Sequence, residues 1–193
     1  MNILVLGPQP SKIAKFLIQR GYSVFECDYP IDEFLLKREK IEFAISYGYR
    51  HIIKPEIIKY LEGKIINLHI SYLPWNRGSD PNFWSFLENT LKGVTIHYVD
   101  SGLDTGDIVF QKQIMFEESK MTLSTTYEIL SNEIFRLFKD GWEQIIHGKA
   151  PRFRQKGKGS YHNSKDKEPY QYLIEKHGWD TPVEYIKGKA LPQ

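Results

Sequence analysis

A single cysteine, Cys27, among 193 residues excludes an intrachain disulfide framework and fits a reducing compartment. It lies in a strand-like segment, 23–27, without Cys or His at metal-ligand spacing, so it reads as a packing residue and no metal centre is expected. Long apolar runs are missing as well. None approaches the roughly 18 residues that a membrane-spanning helix needs. The N-terminus opens as a strand, without the basic start and cleavage site of a secretory leader. A cytoplasmic protein with no membrane partner is therefore expected. Excess charge of one sign is absent: 26 Lys and Arg face 24 Asp and Glu, a net charge of +2. Bulk charge gives no reason to expect a nucleic-acid partner. Phosphate-cradling glycine loops are lacking too. The first strand runs into Gly7-Pro8-Gln9-Pro10 instead of G-x-G-x-x-G, and the two prolines remove N–H groups that a pyrophosphate would need. No P-loop, internal repeat or low-complexity tract occurs.

Apolar residues make up 41% of the chain, enough for an ordinary packed core. The run 2–7 is short and apolar, as in a strand buried on both faces of a parallel sheet. Ser11 is placed to cap a helix whose Ile13, Phe16 and Leu17 share a face, with Gly21 at its end. Strands over 23–27, 43–47 and 64–68 alternate with helices over 32–40 and from Pro55 to near Gly63. This order implies a Rossmann-like, mostly parallel α/β sheet with helices on its faces. Asp80-Pro81 then has the form of a helix cap and first-turn proline, with Phe83, Trp84 and Leu87 as the buried face. Strands follow at 93–99 and 108–115. The stretch 123–146 is the longest helix, with Leu123, Tyr127, Leu130, Ile134, Leu137, Phe138, Trp142 and Ile145 at helical steps. From Pro151 the composition turns basic, with Arg152, Arg154, Lys156 and Lys158, and short helical patterns follow at 170–177 and 181–187. The expected division is a catalytic domain over 1–150 and a short C-terminal subdomain over 151–193.

Two segments concentrate polar chemistry. In Ile66-Asn67-Leu68-His69-Ile70-Ser71 the side chains of Asn67 and His69 lie two apart and so point to one side of a strand. They stand at the carboxyl edge of the parallel sheet, where ligands bind in open α/β folds. Taken alone, the pair reads equally as a hydrogen-bonded Asn and His closing a strand. The second segment follows the strand at 93–99: Asp100-Ser101-Gly102-Leu103-Asp104-Thr105-Gly106-Asp107. Asp104 stands between two glycines, where the backbone can turn tightly and approach a ligand. Each aspartate alone is also consistent with turn capping. His97, on the strand before this loop, reads as a satisfied structural histidine.

Together the two segments resemble the formyltetrahydrofolate-dependent formyltransferase family, over most of the chain from Asn2 to Gly148. The resemblance implies the formyltransferase fold and assigns catalysis to Asn67, His69 and Asp104. Within the family, Trp75-Asn76-Arg77-Gly78-Ser79-Asp80-Pro81-Asn82-Phe83-Trp84 is similar to sugar N-formyltransferases of pseudaminic-acid-type pathways. The run from Arg154 to His162 is similar both to these and to the formylation domain of linear gramicidin synthetase. The implied co-substrate is 10-formyltetrahydrofolate, with no metal, held between Tyr47-Gly48-Tyr49-Arg50 and the loop Asp100, Ser101, Gly102 and Leu103. Trp75, Arg77, Asn82, Arg154 and His162 are the expected acceptor contacts. The acceptor is expected to be a small-molecule amino sugar or nucleotide sugar, and a homodimer is compatible with the sequence. Trp75 and Trp84 could stack on a base or sugar, although Trp84 shares a helical face with Phe83 and Leu87 and fits the core.

The chemistry agrees with this transfer. A fixed Asn67 N–H and a protonated His69 can stabilise the oxyanion that forms when an amine attacks a formyl carbon. An Asp104 carboxylate would favour protonated His69 and relay the amine proton to the leaving nitrogen. The chief alternative within the same chemistry is formylation of an aminoacyl group on a peptidyl carrier protein. A folate-binding regulatory module is the alternative without catalysis.

Overall fold

The computed structural model describes residues 1–9 and 11–191; Pro10, one of the two first-turn prolines, lies outside them. In chain order the elements are β1 (Asn2–Leu6), α1 (Lys12–Ile18), β2 (Ser23–Cys27), α2 (Glu33–Arg38), β3 (Ile41–Ser46), α3 (Pro55–Tyr60), β4 (Ile65–His69), β5 (Arg77–Gly78), α4 (Pro81–Leu87), β6 (Gly93–Tyr98), β7 (Ile108–Gln113), α5 (Leu123–Ile146), β8 (Tyr161–His162) and α6 (Val183–Ile186). A 3-10 helix over Ser164–Leu173 and shorter ones at Glu118–Lys120 and Gly178–Asp180 complete the chain.

Local signals explain most helix starts. The Ser11 hydroxyl accepts from the N–H groups of Ile13 and Ala14, and the Asp32 carboxylate accepts from that of Leu35. Pro55 occupies the first turn of α3. Thr122 and Thr125 form a capping box at α5. Asp80 departs from its expected role. Its φ is 51° and its side chain caps nothing; the carboxylate instead meets the Lys167 ammonium at 2.6 Å. Tyr127, expected on the buried stripe of α5, is 52% exposed.

Six strands form one sheet in the order β2-β1-β3-β4-β6-β7. Strands β1 to β4 run parallel, while β6 is antiparallel to β4 and β7 antiparallel to β6. The mostly parallel α/β sheet expected from the alternating pattern is therefore present. One face carries Ile3, Val5, Phe43, Ile45, Ile66 and Leu68, packed with α1 and α5 residues such as Phe16, Phe138 and Trp142. The other face packs Leu4, Leu6, Ala44 and Ile65 with Leu36 of α2 and Ile57 of α3. Those two short helices sit over the β1–β3 side. On β4 and β6 this second face carries Asn67, His69 and His97, which alternate with Ile66, Leu68 and Ile96 of the first face.

A third apolar cluster joins Phe83, Trp84, Phe86 and Leu87 of α4 to Tyr170, Leu173, Val183 and Ile186 from the C-terminal segment. The same segment adds β8 to β5 in a small parallel ladder, Arg77 with Tyr161 and Gly78 with His162. Phe153 exchanges both backbone hydrogen bonds with Ile108 on the edge strand β7.

Candidate active site

Strand pairing brings the first polar side chains together. In the antiparallel ladder between β4 and β6, Asn67 lies opposite His97 and His69 opposite Thr95. The loop after β6 then folds back across them. Asp100 shapes its start, because its Oδ1 accepts from the Gly102 N–H at 3.1 Å and the Thr105 hydroxyl at 2.6 Å. Gly106 lets the loop touch the strand it left: a Cβ there would stand 1.8 Å from the Tyr98 carbonyl oxygen. Asp104 takes a left-handed backbone, φ 53°, which Asp tolerates better than most residues.

The result is a nearly buried carboxylate ringed by donors. Asp104 Oδ1 accepts from Asn67 Nδ2 at 2.9 Å and lies 3.2 Å from His97 Nε2. Its Oδ2 accepts from the Gly78 N–H at 2.8 Å and lies 3.6 Å from His69 Nδ1. The side chain is 13% exposed. Burial alone would push the Asp104 carboxyl up. The His69 and His97 imidazoles and the Gly78 N–H outweigh it and hold the carboxyl well below the ordinary carboxylate range. On its other side, His69 Nε2 donates to the Asn76 carbonyl at 2.9 Å, so Nε2 carries a proton and Nδ1 is the nitrogen turned towards Asp104. Two imidazoles and a carboxylate meet here, yet no group of three such side chains among the described residues has the geometry to hold a metal ion.

The profile of the formyl transferase family matches residues 31–135, just over half of the chain. The chain belongs to that family. A crystal structure of the formyltransferase PseJ from Anoxybacillus kamchatkensis, solved with UDP-4,6-dideoxy-4-formamido-L-AltNAc and tetrahydrofolate, matches with a TM-score of 0.94. It is 48% identical, over 99% of this chain and 100% of that one. The methionyl-tRNA formyltransferase of Pelotomaculum thermopropionicum is 34% identical over 128 residues, which is 66% of this chain and 41% of that protein. The phosphoribosylglycinamide formyltransferase of Bacillus subtilis is 33% identical over 112 residues, 58% of this chain and 55% of that protein. The chain thus spans between two-fifths and just over half the length of these two curated relatives.

In this formyl transferase the residues expected around the donor divide between core and surface. Tyr47 packs against the core beneath α5, and burial pushes its phenol up. The Tyr49 hydroxyl donates to the Tyr29 carbonyl at 2.8 Å, and burial pushes it up to about 12. Gly48 turns between them with φ 67°. Arg50, Asp100, Ser101 and Gly102 are exposed, and Leu103 is 50% exposed immediately before Asp104.

The expected acceptor residues divide. Trp75 and Arg77 line a groove of about 1060 Å³ together with Lys92, Lys158 and Tyr161. Arg154 is exposed. Asn82 and His162 are turned into the core. Asn82 is 5% exposed and its amide donates to the Leu123 carbonyl and the Thr126 hydroxyl. His162 is 3% exposed and stacks on Trp84, with ring centroids 3.7 Å apart.

Three residues of the site carried no such expectation. His97 lies opposite Asn67 in the β4–β6 ladder and meets Asp104 where the loop after β6 folds back. Gln155 donates from Nε2 to the carbonyls of Asp104 and Gly106, while its Oε1 accepts from the Arg77 guanidinium. Glu88 stands behind Asn76 and accepts from its Nδ2 at 3.1 Å. A pairing of the 64–68 and 93–99 strands would have exposed His97. No local pattern marks Gln155 or Glu88.

Proposed function

We propose that this formyl transferase moves a formyl group from 10-formyltetrahydrofolate to a primary amine of a nucleotide-linked amino-deoxysugar. The meeting of Asn67 and His69 with the Asp104 carboxylate carries the reading, and the 48% identity to a formyltransferase solved with a UDP-linked formamido sugar and tetrahydrofolate supports it. The donor side fits a flat heterocycle. Gly48 takes a left-handed turn and Leu103 offers exposed apolar surface beside the carboxylate.

Each side chain then has a role. Asn67 Nδ2 donates to Asp104 Oδ1 at 2.9 Å and lies 3.2 Å from His97 Nε2, and these two contacts fix the amide plane where charge develops on the formyl oxygen. His69, anchored through Nε2, presents Nδ1 to the same region. Asp104 accepts the proton that the amine nitrogen loses as its bond to the formyl carbon forms. That proton passes to the departing folate nitrogen as the old carbon–nitrogen bond breaks. No covalent enzyme intermediate is needed. The aromatic faces of Trp75 and Tyr161 and the exposed Lys158 cation suit the base and diphosphate of the acceptor, while Lys92 in the same groove is paired with Glu118 at 3.6 Å.

The test is an assay with 10-formyltetrahydrofolate and a panel of amines: UDP-linked amino sugars, free amino sugars and an aminoacyl-loaded carrier protein. Tetrahydrofolate release with a formamide product is expected only with the nucleotide-linked sugars, and Asn67→Ala, His69→Ala and Asp104→Ala should each abolish it. Turnover confined to the loaded carrier, or none with any amine, would overturn the proposal.

A further inference from the structure

Behind His69 lies a second polar cluster, separate from the reacting groups. Asn76 is fully buried, with its backbone in the left-handed region, φ 57°. All of its polar groups are engaged. Its N–H donates to the Ser160 hydroxyl at 3.0 Å and its Nδ2 to Glu88 Oε2 at 3.1 Å. Its Oδ1 accepts from the Thr90 hydroxyl at 2.8 Å, and its carbonyl accepts from His69 Nε2 at 2.9 Å. The Ser160 hydroxyl donates to the same Glu88 oxygen at 2.9 Å. The other carboxylate oxygen, Oε1, faces His162 Nε2 at 3.0 Å. Burial alone would raise the Glu88 carboxyl; the His162 imidazole and the Ser160 hydroxyl outweigh that and keep it low.

We propose that Glu88 is a positioning residue for His69, acting through Asn76, a role that rests on the reading of His69 as catalytic. An imidazole held only by a carbonyl is fixed no better than the carbonyl itself. Here that carbonyl belongs to a residue in a sparsely populated backbone conformation, whose orientation the surroundings must impose. Glu88 supplies the imposition by gathering the Asn76 amide and the Ser160 hydroxyl on one oxygen. The chain Glu88–Asn76–His69 then fixes the Nε2–H tautomer and leaves Nδ1 facing Asp104, as outer hydrogen bonds orient ligating histidines in metal sites. Ser160 and His162 come from the C-terminal segment, so that segment takes part in holding a group it does not touch.

The experiment uses the full chain with isotope-labelled histidine. Nitrogen NMR reads the His69 tautomer, and steady-state kinetics separate kcat from KM for donor and acceptor. In the wild type His69 carries its neutral-state proton on Nε2. Glu88→Ala is expected to mix the tautomers and lower kcat about 10–100-fold with KM little changed. Glu88→Gln, which keeps an oxygen for Asn76 and Ser160, should restore most of both signals. Thr90→Val removes a different bond to Asn76 and should shift both in the same direction by less. If Glu88→Ala fails to fold, the Gln and Val variants decide by the same readouts. An Ala variant with wild-type kcat and an unchanged tautomer would overturn the proposal, as would Ala and Gln variants equally slow with His69 unmoved. If the wild type formylates no amine, the proposed function fails while the tautomer comparison still decides the positioning.

Discussion

Asp104 concentrates the electrostatics of this site in one side chain. Its carboxyl is held below the ordinary range, so its contribution to stability is fully present above the unfolded value of about 4 and is lost as pH falls through the lower folded value. Asp104→Asn keeps the shape but can neither hold the charge nor accept the amine proton. The variant is expected to lose about 10²–10⁴-fold in kcat. Its urea midpoint at pH 7 should fall below that of the wild type, and the gap should persist towards pH 5 and narrow below about pH 4. Denaturation curves across that range check the sign; a gap widening below pH 4 would contradict it. Asn67, His69 and Asp104 were legible as residues because strand alternation and paired glycines are local signals. His97 was not. The register of β4 against β6 sets it opposite Asn67, a contact across thirty residues that no periodicity within β6 encodes, and the loop after β6 brings Asp104 back onto the pair.

At the scale of elements, legibility followed length. Leu130, Ile134, Phe138, Trp142 and Ile145 mark α5 because a buried stripe repeated over many turns admits one reading. The two-residue strands β5 and β8 have no pattern to read, whereas the Asp80-Pro81 signal marks the start of α4 even though Asp80, with its left-handed backbone, makes no side-chain cap bond. Yet this short ladder positions the site. Gly78 has φ 88°; a Cβ there would stand 2.1 Å from the His162 carbonyl oxygen, and its N–H is a donor to Asp104. Gly78→Ala is therefore expected to separate β8 from β5, lower the melting temperature and reduce kcat together. Gly21→Ala supplies the contrast: φ is 82° but no atom lies within 4 Å of the added Cβ. It should cost about 1 kcal/mol of backbone strain and leave kcat unchanged. Equal kinetic effects from the two substitutions would show that strain, not the ladder, matters.

Composition suggests a boundary near Pro151, where the chain turns basic, but burial does not respect it. Tyr170, Leu173, Val183 and Ile186 cover Phe83, Trp84, Phe86 and Leu87, and backbone bonds link 181–183 to the start of α5 and 188–190 to the end of α4. Exposing four large side chains forfeits about 1.5–3 kcal/mol each, a sum comparable with the whole stability of a typical domain. A chain cut after residue 150 is thus expected to expose an apolar patch on α4, bind a hydrophobic dye and show no cooperative melting transition. Supplying residues 151–193 as a separate peptide should restore cooperative melting, because the lost contacts are surface-to-surface and need no continuous chain at that point. Gln155, Ser160 and His162 would return with it, so activity should recover alongside the fold. A cut chain that melts cooperatively near the wild-type temperature would mean that the apolar cluster around α4 contributes little, and that the C-terminal segment serves the site alone.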